Sequence, residues 1–420
     1  MSKKKVKFKR KNLFVIVFIL LIIIVGVVYF SKNSNIKLDN VIPKTKEESE
    51  ITDFKDMSLS SVKEYTTKKK LELKTEFDYS DTVDKDKVIE SKIEDNVVSI
   101  KVSLGSIPLD EFKSKKVNEL GNVPIMMYHG IVNTTENKYT GGNVDKDGYN
   151  RTSRAFYKDL EMYYEKGYRM IRLKDYVDGK IDVELGKSPI ILTFDDGNEN
   201  NFKVIKKNED GSLEFDPESA IGVLERFKKE HSDMNITATF FLNGGLCNQK
   251  AYNEDIMHWL VDNGYDIGNH TISHVDFTKI GIEKTKYEVG ALYKKLESII
   301  PGKYVNIVAL PFGSPYKKTN QNYPYIIDGE YEGFKYHTEG GLRVGWEAEV
   351  SPFNKNFDTS FMKRIRAYDN NGKEFDIEMN FKLLESKRFI SDGNSNLITI
   401  PKSKEENLKE TELKVVKYEE

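Results

Sequence analysis

The run PIILTFDDG, residues 189–197, decides how this chain folds. Five apolar or β-branched residues, Ile190 to Phe194, follow one another without a break and stop at two adjacent carboxylates, Asp195 and Asp196, and a glycine. An unbroken apolar run of this length marks a strand buried on both faces, as in a parallel sheet covered by helices. Asp and Gly are also favoured turn residues, so the motif by itself is open to a purely structural reading. VPIMMYHGI (123–131) is a second buried-strand run upstream. Further strands are predicted at RMIRL (169–173), ITATFFL (236–242), YDIGNH (265–270) and YVNIVALPF (304–312). Between them lie helical patterns at 156–167, 220–231, 256–264 and 284–300. The alternation predicts an α/β fold with a parallel sheet wrapped by helices. In barrels built this way, function sits at the C-terminal ends of the strands.

The rest of the chain bounds the problem. Its 420 residues are too many for one ordinary core. With 38% apolar and 31% charged residues the composition is globular. A net charge of −2 gives no basic footprint for nucleic acid, and no nucleotide partner is expected. The single cysteine, Cys247, excludes a disulfide framework and a thiolate cage, and is read as a structural or surface thiol.

The N-terminus carries a basic block within residues 1–12, then an apolar stretch from Leu13 to Phe30. As a helix that stretch spans roughly 27 Å, close to the hydrocarbon thickness of a bilayer. It ends in VVYFSKNSN, a poor cleavage site, so an uncleaved single-pass anchor is expected rather than a signal peptide. The basic block places residues 1–12 in the cytoplasm and everything after residue 30 outside. Residues 31–47 read as a stalk, 48–106 as a small module, 107–121 as a linker, 122–400 as the large domain and 401–420 as a charged, loose tail. Within the module, ITDFKDMSL (51–59) reads as an opening strand, followed by a helix. LELKTEFDY, KVIESKI and VVSIKVSL alternate like three strands.

Four short segments end predicted strands: YHG (128–130), TFDDG (193–197), HTISH (270–274) and ALPFG (309–313). His270 and His274 are four apart, so on one helical turn both imidazoles face the same way. Two histidines with one carboxylate suit a divalent cation and leave a coordination position open for water or substrate. The second carboxylate is then free to act as a base. Taken alone, the histidine pair and the Asp–Asp–Gly turn each remain open to a structural role.

TFDDG and HTISH resemble the first and second motifs of the carbohydrate esterase family 4 polysaccharide deacetylases, over residues 122–367. The resemblance implies a distorted (β/α) barrel and hydrolysis of acetyl groups on N-acetylated glycans. It implies Asp195 as general base, Asp196, His270 and His274 as metal ligands, and zinc as the expected metal. Two features depart from the usual pattern. Ala309 stands where the third motif has an arginine that orients the base, and no Leu-x-His motif appears near the C-terminus. VPIMMYHGI is similar to that last element moved to the front, as in a permuted exopolysaccharide branch of the family. This implies His129 as general acid, against a core histidine on a buried strand. The backbone N–H of Phe312, set by Pro311 and Gly313, is implied as the oxyanion donor. His231 and His258 are read as ordinary, and His337, the only rival to His129 as the acid, lies in a polar segment whose context does not fit.

The 48–106 module resembles a PASTA domain, a wall-binding unit, although Asp86 stands where that family usually has glycine. The combined expectation is a membrane-anchored peptidoglycan N-deacetylase. Alternatives are a poly-N-acetylglucosamine deacetylase, an O-acetyl esterase on the same site, or a non-catalytic wall-binding sensor.

Overall fold

Residues 51–133 and 149–420 are described by a computed structural model. The expected anchor at 13–30, with its basic tail and the 31–47 stalk, lies outside the described residues. Among the described residues no helix is long and apolar enough to cross a membrane.

The chain forms two compact units. Of the described residues, the first holds 51–76 and 87–101 and the second holds 77–86 and 102–420. The first contains helix α1 (Leu59–Lys69) and a sheet of β1 (Glu72–Asp78), β2 (Val88–Glu94) and β3 (Val97–Ser103) in the order β1-β3-β2. Ser58 caps α1 through its hydroxyl, which accepts from the Ser61 N–H at 3.2 Å. Val62, Val88, Val98 and Ile100 are buried, so alternate residues of β3 supply the apolar face. The ITDFKDMSL stretch departs from expectation. It is irregular up to Ser58, and it serves instead by burying Phe54, whose ring meets Tyr65 edge-on.

The second unit is built on parallel strands: β4 (Ile125–Tyr128), β5 (Tyr168–Met170), β6 (Ser188–Phe194), β7 (Thr239–Leu242), β8 (Asp266–Asn269), β9 (Ile307–Ala309), β10 (Gly340–Leu342) and β11 (Ile365–Arg366). Their order is β10-β9-β8-β7-β6-β4-β11, with β5 paired to the first half of β6. This is a parallel half-barrel. The gap between its edges is crossed by one stretch of chain. The Met362 N–H donates to Gly341 O, and Met362 O accepts from the Arg343 N–H, each at 2.8 Å, just before Ile365 and Arg366 pair with β4.

Strand residues feed two cores alternately. Ile190, Leu192 and Phe194 pack outward with helices α2 (Ser153–Glu165), α3 (Ala220–Glu230), α4 (Asn253–Asp262) and α5 (Ile282–Ile299), while Ile191 joins Ile125, Phe241, Ile307 and Leu342 in the interior cluster. That double burial is why the strands read as unbroken apolar runs. Gly268 makes room inside: a Cβ there would lie 2.4 Å from the Phe241 ring.

The two ends of the large domain also differ from expectation. Residues 107–121 contain a short helix, Leu109–Ser114, and bury Phe112, Val117 and Glu119. The C-terminal tail is not loose. Lys414–Tyr418 pairs in parallel with Leu397–Pro401, and the Tyr418 hydroxyl donates to Val117 O at 2.8 Å. Alternating Val416 and Tyr418 are buried, and this short-range alternation is masked in sequence by the flanking charges.

Candidate active site

Asp195 continues the inward alternation of Ile191 and Thr193 and reaches the mouth of the sheet. Its N–H donates to Tyr128 O at 3.0 Å, which ties β6 to β4 where both chains leave the sheet. Its carboxylate is buried and gripped by Arg364, which is wholly enclosed. Nη1 donates to Oδ1 at 2.8 Å and Nη2 to Oδ2 at 2.7 Å. Arg364 is itself fixed, donating from Nε to Arg343 O and from Nη1 to Thr193 Oγ1. Burial alone would raise the Asp195 carboxyl. The charges of Arg364 and His270 more than reverse this and hold it well below the usual carboxylate range.

Sequence reasoning missed Arg364. Ala309 leaves the turn after β9 without an arginine, and the fold brings one to Asp195 from just before β11, far along the chain. The only signal was a requirement, because a buried carboxylate needs a cation. Nothing in KRIR (363–366) singles out Arg364 from its neighbours.

Asp196 and Gly197 turn the chain with φ of 73° and 62°. Gly197 is obligatory, since a Cβ would stand 2.0 Å from Leu246 O. The turn brings Asp196 Oδ1 to 3.2 Å from His270 Nε2 and 3.5 Å from His274 Nε2. One ligand atom from each of the three residues lies within 4.8 Å of the others.

The histidines meet for a reason other than the expected one. Residues 270–274 are not a helical turn. Thr271 and His274 have φ of 64° and 53°, and the loop is held from outside. Glu288, buried on α5, accepts from the Ser273 N–H at 2.8 Å and from the Ser273 hydroxyl at 2.5 Å, and its backbone carbonyl accepts from the Ile272 N–H. The signal for Glu288 was a carboxylate on the apolar stripe of a helix, between Thr285 and Leu292.

These residues suit a divalent cation. His270 Nδ1 lies 2.7 Å from Ala309 O; a carbonyl only accepts, so Nδ1 carries the proton and Nε2 presents its lone pair. Nε2 is buried and, despite its distance to Asp196, makes no aligned hydrogen bond. Burial pushes His270 down, but Asp195 and Asp196 outweigh it and the group ends raised; His274 is lowered by burial and by its neighbour His270.

His129 follows β4 at the same mouth. It is buried, its Nδ1 has no hydrogen-bond partner, and its ring meets Tyr149 edge-on at 4.9 Å. Burial lowers it to about 4, against the opposing charges of Asp195 and Asp196. The Asn201 side chain donates to its carbonyl and accepts from the Ile131 N–H, fixing the chain on either side. Pro311–Gly313 forms a tight turn after β9, with Phe312 at φ 58° and its ring 4.7 Å from that of His274. His337, the alternative acid, sits in an exposed hairpin paired to Asp328 at 2.7 Å. Cys247 is buried and its thiol is pushed up by burial, which makes it an inert core residue.

Residues 182–324 match the family model described as polysaccharide deacetylase. The chain carries a polysaccharide deacetylase domain. The matched stretch of this domain contains Asp195, Asp196, both site histidines and the Pro311–Gly313 turn, and leaves His129 and Arg364 outside. An uncharacterized 30.6 kDa protein of Geobacillus stearothermophilus is 29% identical over 113 residues, 27% of this chain; the chain spans about a third (34%) of that relative's length. Among solved structures, the deacetylase PplD of Streptococcus pyogenes in complex with acetate aligns over 62% of this chain and 97% of its own, at 17% identity and a TM-score of 0.43. A de-N-acetylase from Aggregatibacter actinomycetemcomitans aligns over 63% and 99%, at 12% identity and a TM-score of 0.41.

Proposed function

We propose that this protein is a cation-dependent N-deacetylase of cell-wall glycan, held at the membrane by residues 13–30 with its deacetylase domain outside. The observation that carries this reading is the Asp196, His270 and His274 set at the strand mouth, with Asp195 beside it in the grip of Arg364. A divalent cation, zinc being the expected one, supplies Lewis acidity there. Asp195 stays a carboxylate and takes a proton as water attacks the acetyl carbonyl. Arg364 fixes the direction of that carboxylate. The Phe312 N–H, set by Pro311 and Gly313, is assigned to the developing oxyanion. His129 starts neutral, receives the proton that Asp195 took from the water and hands it to the leaving sugar amine.

The test is acetate release by the purified full-length chain from peptidoglycan and from poly-N-acetylglucosamine, before and after chelation. The expected result is release from peptidoglycan that chelation stops, a divalent cation restores and His270→Ala abolishes. Turnover indifferent to chelation, or no acetate from either polymer, overturns the reading. Release from poly-N-acetylglucosamine alone would favour the second reading, which the placement of YHG ahead of TFDDG supports. The PASTA-like module is assigned wall affinity: deleting residues 48–106 should reduce sedimentation with insoluble wall and leave acetate release from short soluble glycans intact. Equal sedimentation would reduce the module to a spacer.

A further inference from the structure

The His129 ring has no polar anchor of its own. Its Nδ1 is without a hydrogen-bond partner, so the direction of the imidazole follows the main chain around it and the Tyr149 ring, which it meets at 4.9 Å. Both supports lead to one buried ion pair. Asp159, on α2, takes Arg151 in a two-pronged grip: Nε donates to Oδ2 at 2.5 Å and Nη2 to Oδ1 at 2.6 Å, and both side chains are buried. Asp159 Oδ2 also accepts from the hydroxyl of Tyr128, the residue before His129, at 3.0 Å. Tyr163 is then left to donate to the Tyr128 oxygen, 2.6 Å away. On the other side, Arg151 lies in the short strand Asn150–Thr152, which pairs in parallel with Gly130–Val132, the residues after His129. Tyr149 O, at the head of that strand, accepts from the Gly130 N–H at 3.0 Å. Thr152 caps α2 by accepting from the Ala155 N–H, so the strand and Asp159 are tied to the same helix.

We infer that Arg151 and Asp159 are positioning residues for the general acid: through Tyr128 and the Asn150–Thr152 strand they aim the His129 ring at the leaving amine. The inference rests on the role proposed for His129 and extends it to two residues outside the strand-mouth set. Tyr128, Phe156 and Tyr163, the residues around the pair, belong to the core under the helices rather than to the mouth. Stability alone does not account for the pair. Taking two charges out of water costs about as much as their attraction returns, and Arg151 Nη1 is buried without a partner. What a guanidinium–carboxylate fork does supply is direction, because its two parallel hydrogen bonds admit one relative orientation. Proton delivery depends on direction, since the donor must come within hydrogen-bond reach of the amine nitrogen. A displacement of about 1 Å is enough to cost about 10²-fold.

The experiment compares kcat on a linear N-acetylglucosamine hexamer, whose amine must be protonated to leave, with kcat on 4-nitrophenyl acetate, whose leaving group needs no proton. The full-length chain is compared with His129→Ala and with the double variant Arg151→Met, Asp159→Leu, which exchanges the pair for apolar side chains of similar volume. Tm and bound cation are measured for each. The double variant should melt cooperatively and keep its cation. It should lose about 10–100-fold on the hexamer and stay within a few-fold of the native rate on the ester, the imbalance of His129→Ala in milder form. A native hexamer-to-ester ratio in the double variant, with the imbalance present in His129→Ala, overturns the inference and leaves the proposed function standing. Equal loss on both substrates at unchanged cation content assigns the pair to packing and overturns it as well. No imbalance in His129→Ala itself removes His129 as the acid, and the inference with it. Should the double variant not fold, Arg151→Lys decides. It keeps the charge but not the fork, so the same imbalance sustains the inference and a native ratio overturns it.

Discussion

Asp195 and Arg364 cannot be altered independently. Replacing Asp195 by Asn keeps the shape but removes the acceptor for the proton. It should lower turnover about 10²–10⁴-fold while Asp196 and both histidines keep their cation. The same change leaves a fully enclosed guanidinium facing a neutral amide, so a lower Tm is expected as well. Activity is best compared well below the melting range. A variant within a few-fold of the native rate would assign the base elsewhere. His129 calls for a different comparison. His129→Ala should reduce acetamide hydrolysis by orders of magnitude and an activated acetyl ester far less, because only the amine needs a proton to leave. Equal loss on both substrates would return His129 to a packing role.

At the scale of elements, each site residue owes its position to a strand end, but the histidine loop owes its shape to α5. Glu288 holds Ser273 and Ile272 from a helix that contributes no ligand. Glu288→Ala should loosen His274 relative to His270 and weaken cation binding about 10–100-fold, with the histidines themselves intact. Isothermal titration with zinc would check this, and an unchanged affinity would show that the loop holds itself. TFDDG behaves differently. There, the left-handed turn at Asp196 and Gly197 is a local requirement, and this is why that motif could be read in the sequence while the support for HTISH could not.

At the scale of the molecule, the large domain is fastened where its beginning and end meet. Glu119, ahead of β4, accepts from the Thr399 N–H at 2.8 Å, and the Thr399 hydroxyl donates to Asp392 at 2.6 Å. Burial raises Glu119 well above the carboxylate range and the nearby Asp392 charge raises it further, while burial raises Asp392 to about 6 against hydrogen bonds with Thr399, Asn394 and Glu119 that lower it. Groups with raised folded values hold protons that the unfolded chain releases. Their contribution is complete below the unfolded carboxylate range and is lost as pH rises through about 6 and beyond. Tm should therefore fall between pH 5 and pH 8, and Glu119→Gln should flatten that slope. A slope unchanged in Glu119→Gln would assign the pH dependence to other groups.

The sequence by itself determined the strand–helix alternation, the doubly buried strands and the candidate chemistry at their ends, because these follow from local patterns of burial and turn-forming residues. PIILTFDDG states its own strand, its own turn and its own carboxylates within nine letters. Only the tertiary structure decided that Arg364 replaces the arginine absent at Ala309, that Glu288 shapes the histidine loop, and that the last strand docks near Val117. It also set the Tyr128 hydroxyl against Asp159. Each of these is a contact between residues far apart in the chain, and burial or pairing across such distances leaves no period in the sequence. A buried cation shows in sequence as one more arginine until the fold closes a carboxylate against it.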